Sequence, residues 1–343
     1  MRSQTLMKPY FCILLVISVF FISCKKTNRF ALSGNEINNV GTKVHIHRFD
    51  SALIMLDTTD MKQSVGKLYA DFPKFTTSFI INILGENPAD TANVVALLQD
   101  FLSDTTFQSI NKKTLATYRN ISVLEKDLTT AFGFLNYYFP KINTPEIYFF
   151  VSGFNRSILL DKNMAGVGVD LYLGSDEPVY EYIVYEYMTP RMRPECVVPE
   201  IITAILYEAF PPDDKVYRLL DNMLYHGKIM YLLSAALPAA KPNDLIAYTK
   251  FQWEWSRKYE REIWESIATQ QYLYSSDISL IRKFIGEAPF TTPVSQESPG
   301  RLGIWVGWQI INSYMGKNKE ITLPELMNES DFQKILEKAG YHP

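Results

Sequence analysis

The chain has 343 residues, a formal net charge of −3, and a composition that is 47% hydrophobic and 14% aromatic. That is ample apolar material for a sizeable core, and the length fits one large domain or two small ones. A mildly acidic balance excludes the basic footprint that nucleic-acid binding requires.

Arg2 and Lys8 form a positive leader, and an apolar or small run extends from Tyr10 to Ser23. At about 14 residues this run suits a secretory signal core and falls short of the roughly 20 needed for a membrane span. It ends in Phe21-Ile22-Ser23-Cys24, which resembles the lipobox of bacterial lipoproteins, with Phe21 standing where leucine is usual. The resemblance implies a signal peptide over 1–23 and a diacylglycerol-bearing thioether at Cys24. An uncleaved signal anchor is the competing reading. Loss of 1–23 removes Arg2 and Lys8 and moves the formal charge from −3 to −5. Cys12 leaves with the signal and Cys24 is acylated, so Cys196 is left as the free thiol and no intrachain disulfide can form. Cys196 reads as a buried apolar residue or, alternatively, a reactive one.

Residues 24–42 are mostly polar and aperiodic, and the expectation is a lipidated flexible tether. A single domain is expected over 43–343. Val44-His45-Ile46-His47-Arg48-Phe49 alternates like a first strand, and from residue 60 to 139 the apolar positions recur at helical spacing, as in Leu124, Leu128, Phe132 and Leu135. Strand character returns at 146–151 and 165–173. Helices are predicted over 198–210, 214–237, 251–273, 278–285, 300–315 and 330–339. The pattern predicts an α+β fold that is predominantly α-helical with a small β-sheet.

His45 and His47 share one strand face at a spacing that can bind metal, but with no third ligand nearby in sequence, polar strand residues facing solvent explain the pattern more simply. Gly166-Val167-Gly168 lacks the rest of a nucleotide-binding fingerprint and sits inside a strand, where glycine marks close packing. No Gly-x-Ser-x-Gly elbow is present. The run from Tyr180 to Tyr187 carries four tyrosines and two glutamates, and reads either as a recognition surface or as a loop laid over the core. Between 298 and 308, Ser298 is a candidate N-cap with Pro299 at the first helical position. Gly300, Gly303 and Gly307 offer a face for close backbone approach, and Trp305 and Trp308 are spaced to stack. Arg301 would then oppose the helix dipole and needs a carboxylate partner, Glu297 or Asp170, unless it serves an anion site.

Several segments together resemble the GldB family of gliding-motility-associated lipoproteins of Bacteroidetes. They are Cys24, Ile46-His47-Arg48-Phe49-Asp50, Val169-Asp170-Leu171-Tyr172-Leu173-Gly174, the stretch from Leu220 to Lys228, Ile281-Arg282-Lys283-Phe284, and above all the run from Glu297 to Gln309. The resemblance covers essentially the whole mature chain and implies a membrane-anchored component of a gliding apparatus tied to type IX secretion. Lys25-Lys26 lack the acidic run that sends many lipoproteins of that phylum to the cell surface, so a periplasm-facing anchor in the inner or outer membrane is expected.

A more distant likeness is to gluzincin-type zinc peptidases. His226-Gly227-Lys228-Ile229-Met230-Tyr231 is similar to the second motif of that family, with His226 in the third-ligand place. The same spacing puts Thr203-Ala204-Ile205-Leu206-Tyr207 where the His-Glu-x-x-His helix belongs. Thr203 and Tyr207 then replace both histidines and Ala204 the catalytic glutamate, a set that neither holds zinc nor activates water. The likeness implies a degenerate zincin-like scaffold with no metal, no cofactor and no catalytic residue. Thr203, Tyr207, His226, Arg301 and Asp170 are the candidates for lining its vestigial groove.

Three functions follow. The first is a non-catalytic lipoprotein that supports the gliding or secretion machinery, in contact with the bilayer through Cys24 and with other envelope proteins. The second is a peptide- or glycan-binding module using the former peptidase groove, and the third an active envelope hydrolase.

Overall fold

The computed structural model describes residues 29–343. The predicted signal peptide 1–23, the lipidation site Cys24 and residues 25–28 lie outside the described residues.

Four short strands form one mixed sheet in the order β1 (Ile46–Arg48), β2 (Glu146–Phe150), β4 (Met164–Gly168), β3 (Ile158–Asp161). β2 runs parallel to both neighbours, with Ile147 opposite Ile46 and Ala165, while β3 pairs antiparallel to β4, with Leu159 opposite Gly166. Residues 147–150 are buried throughout, as expected of a central parallel strand covered on both faces. Alternation along β2 sends Ile147 and Phe149 into one core, and Tyr148 and Phe150 into a second.

The second core holds the N-terminal helices, among them Met61–Asp71, Pro73–Phe79 and Thr91–Ser103. There Phe75 stacks on Tyr148 with ring centroids 4.2 Å apart. The larger core holds Ser122–Tyr138 and the C-terminal helices. Three of these shape the rest of the molecule: the groove helix Val197–Ala209, the central helix Leu219–Ala236 and the tryptophan helix Leu302–Lys317. The central and tryptophan helices are buried along most of their length, and they cross with backbones in contact. A Cβ placed on Gly307 would stand 1.8 Å from the Met223 carbonyl oxygen, and one on Gly227 would stand 2.4 Å from the Gly307 carbonyl. Only glycine at both positions allows that approach. The predominantly helical α+β class therefore holds.

Several local expectations are corrected. Residues 29–42 are docked rather than forming a flexible tether. Ser33 and Glu36 close a capping box on the helix Gly34–Val40, and Ile37 packs over Gly133. Tyr138 donates to the Phe30 carbonyl at 3.1 Å, and Arg29 donates to the carbonyls of Asn318 and Ile321 at 3.2 and 2.5 Å. The strand β3 was not foreseen. The tryptophan helix begins at Leu302, and its N-cap is Arg301, in the left-handed conformation at φ 59°. Ser298 is buried one turn earlier, where its hydroxyl accepts from Thr291 N at 3.0 Å. Trp305 and Trp308 both meet Trp253, at 6.2 and 5.7 Å between centroids. Among the described residues no helix is long and apolar enough to cross a membrane.

Candidate functional groove

Glu200, Thr203, Ala204 and Tyr207 are spaced i, i+3, i+4, i+7 on the groove helix, so they share one face. Asn222, Tyr225, His226 and Met230 project toward them from the central helix. Between the two sets lies a cavity of about 760 Å3. Its rim is completed by Ile158 of β3, Arg191, the turn 244–247, Glu287 and Arg301. The crossing at Gly227 and Gly307 fixes the axis of the central helix, and with it the place of the adjacent His226.

Tyr207 Oη and His226 Nδ1 are 2.6 Å apart. Burial, helped by the nearby Arg301 guanidinium, lowers the imidazole to about 4, so the ring is neutral at physiological pH. Burial also raises the Tyr207 phenol, so that it keeps its proton. The pair is thus an uncharged bridge between helices.

The charged groups form a separate, alternating chain. Tyr172 donates to Glu200 Oε2 at 2.5 Å, and Arg191 Nε donates to Glu200 Oε1 at 2.9 Å. Arg191 Nη1 reaches Glu287 Oε1 at 2.6 Å, and Arg301 Nε lies 3.4 Å from Glu287 Oε2. Burial works against the Arg191 cation, but Glu200 and Glu287 outweigh it and hold the guanidinium above its ordinary range. Arg301 also donates to the Ile246 carbonyl at 2.5 Å and lies over the Tyr248 ring at 5.6 Å.

Of the five predicted groove residues, the structure brings together Thr203, Tyr207, His226 and Arg301. Asp170 is elsewhere. It is buried beneath the loop after β2, where it accepts from Ser152 N at 2.9 Å and Phe154 N at 2.8 Å. Burial raises its carboxyl, while these bonds act against that shift. Asp170 thus shapes the loop and does not line the groove. Arg301 pairs with Glu287, neither Glu297 nor Asp170. Arg191, Glu287 and Tyr172 were missed, since their partners are distant in sequence and no local pattern announces them. Cys196 is buried and its thiol is pushed up to about 12 by burial, which makes it inert. His45 Nδ1 lies 2.7 Å from Glu125, and His47 stacks on Tyr148 at 4.7 Å. Among the described residues no group of three or more His, Cys, Asp or Glu is placed to hold a metal ion, here or at the groove.

Two smaller cavities also border the groove helix near β3. One of about 260 Å3 shares Arg191 and Glu200 with the main cavity and is lined by Ser157, Tyr172, Val184 and Met188. The tyrosine-rich segment flanks it, with Tyr180 buried and Tyr182 and Tyr185 exposed. The other, of about 570 Å3, is lined by Leu160, Lys162, Ile205, Phe210, Tyr138 and Pro324. Thus Ser157, just before β3, and Ile158 and Leu160 within it each line a cavity that the groove helix also lines. β3 ends the sheet, and among the described residues no strand pairs with its outer edge.

Comparison with known proteins gives one match: the family model of gliding motility protein GldB fits residues 33–343. No curated protein and no solved structure matches.

Proposed function

We propose that this chain, which belongs to the GldB family of gliding motility proteins, serves that motility without catalysing a reaction, by gripping an extended segment of another envelope protein. The observation that carries the reading is the unpaired outer edge of β3, whose Ile158 and Leu160 line two cavities that the groove helix also lines. An unpaired strand edge offers backbone donors and acceptors to an added strand, and alternate side chains of that strand would enter these cavities. The same feature favours a peptide over a glycan, which has no regular backbone amides to pair with the edge.

The walls support a binding role over hydrolysis. If the zinc-peptidase likeness gives the right frame, Thr203, Tyr207 and Ala204, which all line the groove, take the places of the two imidazoles and the carboxylate. His226 alone is a poor metal site, and Tyr207 already engages its Nδ1. In this reading the scaffold is a peptidase-like groove without its chemistry, held to the membrane at Cys24 and facing the periplasm.

The test is a groove-filling variant. Ala204→Trp, introduced into a gliding bacterium that lacks its own copy, is expected to reach normal levels and fail to restore spreading, while the remote Met55→Ser restores it. Full restoration by Ala204→Trp would refute the groove reading. For the absence of catalysis, the purified protein soaked in zinc and desalted should retain almost none by elemental analysis. About one zinc per chain would overturn that part of the proposal.

A further inference from the structure

The docking of residues 29–42 changes what a lipid at Cys24 would do. A flexible tether through residue 42 would let the domain tumble far from the bilayer. Here the chain is held from Arg29 onward, by the Arg29 bonds to Asn318 and Ile321, the Tyr138 bond to Phe30, and Ile37 seated over Gly133. From Cys24 to Arg29 are five residue steps, which span at most ~18 Å when fully extended.

We infer that the surface around Arg29 is the bilayer-facing side of the protein, seated against anionic headgroups; the inference rests on the reading of Cys24 as the lipid anchor. The composition of this surface fits that occupant. Arg29, Lys317, Lys319 and Lys141 are exposed there, in a protein whose overall charge is −3. Lys25 and Lys26 lie in the connecting segment itself. The nearby acids include Glu36, Glu208, Glu320 and Glu325, of which Glu36 and Glu325 are engaged in the capping boxes of Ser33 and Thr322. Among the aromatics, Tyr137 is 48% exposed against Tyr138, and Arg29 lies over the Phe30 ring at 4.5 Å. Cations with aromatic rings at the rim are the side chains that settle at the headgroup level of a membrane.

The placement also orients the groove. Its 570 Å3 cavity is lined by Tyr138, Lys141 and Pro324, so the Phe210 end of the groove helix opens toward the bilayer. The tyrosine-rich segment at the Glu200 end points away, toward an incoming partner.

The test uses the full chain processed in an exporting host and reconstituted into vesicles of phosphatidylethanolamine and phosphatidylglycerol. A fluorophore is placed at Lys319→Cys, Val123→Cys or Tyr182→Cys, and a nitroxide on the lipid headgroups acts as quencher. The native Cys196 is buried and stays unlabelled in the folded protein. The expected result is several-fold stronger quenching at position 319 than at 123 or 182. Arg29→Gln should narrow that contrast, because it releases the first contact of the docked segment. Intact mass spectrometry reads the acylation of Cys24 independently. An unmodified Cys24 would overturn the anchor reading and this inference with it. An acylated chain quenched equally at all three positions would overturn the inference while leaving the anchor in place.

Discussion

The neutral His226 gives the groove a pH signature that can be isolated. Burial, with the Arg301 guanidinium nearby, lowers the imidazole of the folded protein from its ordinary 6.5 to about 4. Between those values the unfolded chain binds a proton that the native state does not, so stability falls as pH falls through this window and levels off below it. The full shift corresponds to about 3 kcal/mol, and moving from pH 6.5 to 4.5 should remove about 2 kcal/mol. His226→Gln keeps an acceptor for the Tyr207 hydroxyl but cannot titrate. Urea denaturation of the protein at pH 7.5, 6.5, 5.5 and 4.5 separates this group from other acid-sensitive ones by difference. Wild type should lose about 2 kcal/mol more than the variant between pH 6.5 and 4.5, with little difference at 7.5. Parallel curves would show that the imidazole takes up its proton as freely in the native state as in the unfolded one. The picture of an enclosed, neutral helix-bridging pair would then be wrong.

The helix crossing gives a sharper steric prediction. Gly307→Ala puts a methyl 1.8 Å from the Met223 carbonyl oxygen, which is backbone and cannot rotate away; the expected cost is about 3 kcal/mol or more, seen as a lower urea midpoint or loss of soluble protein. An unchanged midpoint would mean that the helices do not cross so closely. Cys196, with its thiol raised to about 12 by burial, should react with an aromatic disulfide reagent only after unfolding, and rapid reaction of the native protein would contradict its placement.

How much of this was legible in sequence depends on the range of the interactions. The helix Ile278–Ile285 emerges at its predicted limits because Asp277 caps it locally and its apolar face is strongly periodic. The strand β2 was visible because Ile147 to Phe150 is uniformly β-branched or aromatic and buried on both faces. β3 was not visible, since Ile158-Leu159-Leu160-Asp161 is too short to display a period. The capping box of Ser33 and Glu36 was present in the sequence. However, the helix it starts has only Ile37 and Val40 to dock, and the polar residues around them outweighed the signal. At the groove, Tyr207 and His226 were placed on one groove by a spacing taken from the zinc-peptidase likeness, but the hydrogen bond between them was not foreseen. Nor was the network through Arg191, Glu200, Glu287 and Arg301, because it joins four separate elements. Asp170 was misplaced for the converse reason: a buried carboxylate bonded to backbone amides looks, in sequence, like one that serves a site.

That network also determines what kind of ligand the groove suits. Arg191 stands between two carboxylates, Glu287 between two guanidiniums, and Glu200 is further bonded by Tyr172. With His226 neutral as well, the charged groups that line the 760 Å3 cavity are paired, so a ligand of the kind proposed would meet the β3 edge and an apolar floor there. The alternation should be measurable as coupling. Arg191→Gln leaves Glu200 and Glu287 facing each other's field in a partly enclosed space, and should cost about 2 kcal/mol, less than the 3–5 kcal/mol of a fully buried pair because Arg191 is one-third exposed. Adding Glu200→Gln removes one of the stranded charges, so the double variant should recover about 1 kcal/mol relative to the sum of the single changes. Denaturation of the four proteins of this cycle at neutral pH gives the coupling directly. If the two substitutions simply add, the charges act independently and the neutrality of the groove is not a property of the network.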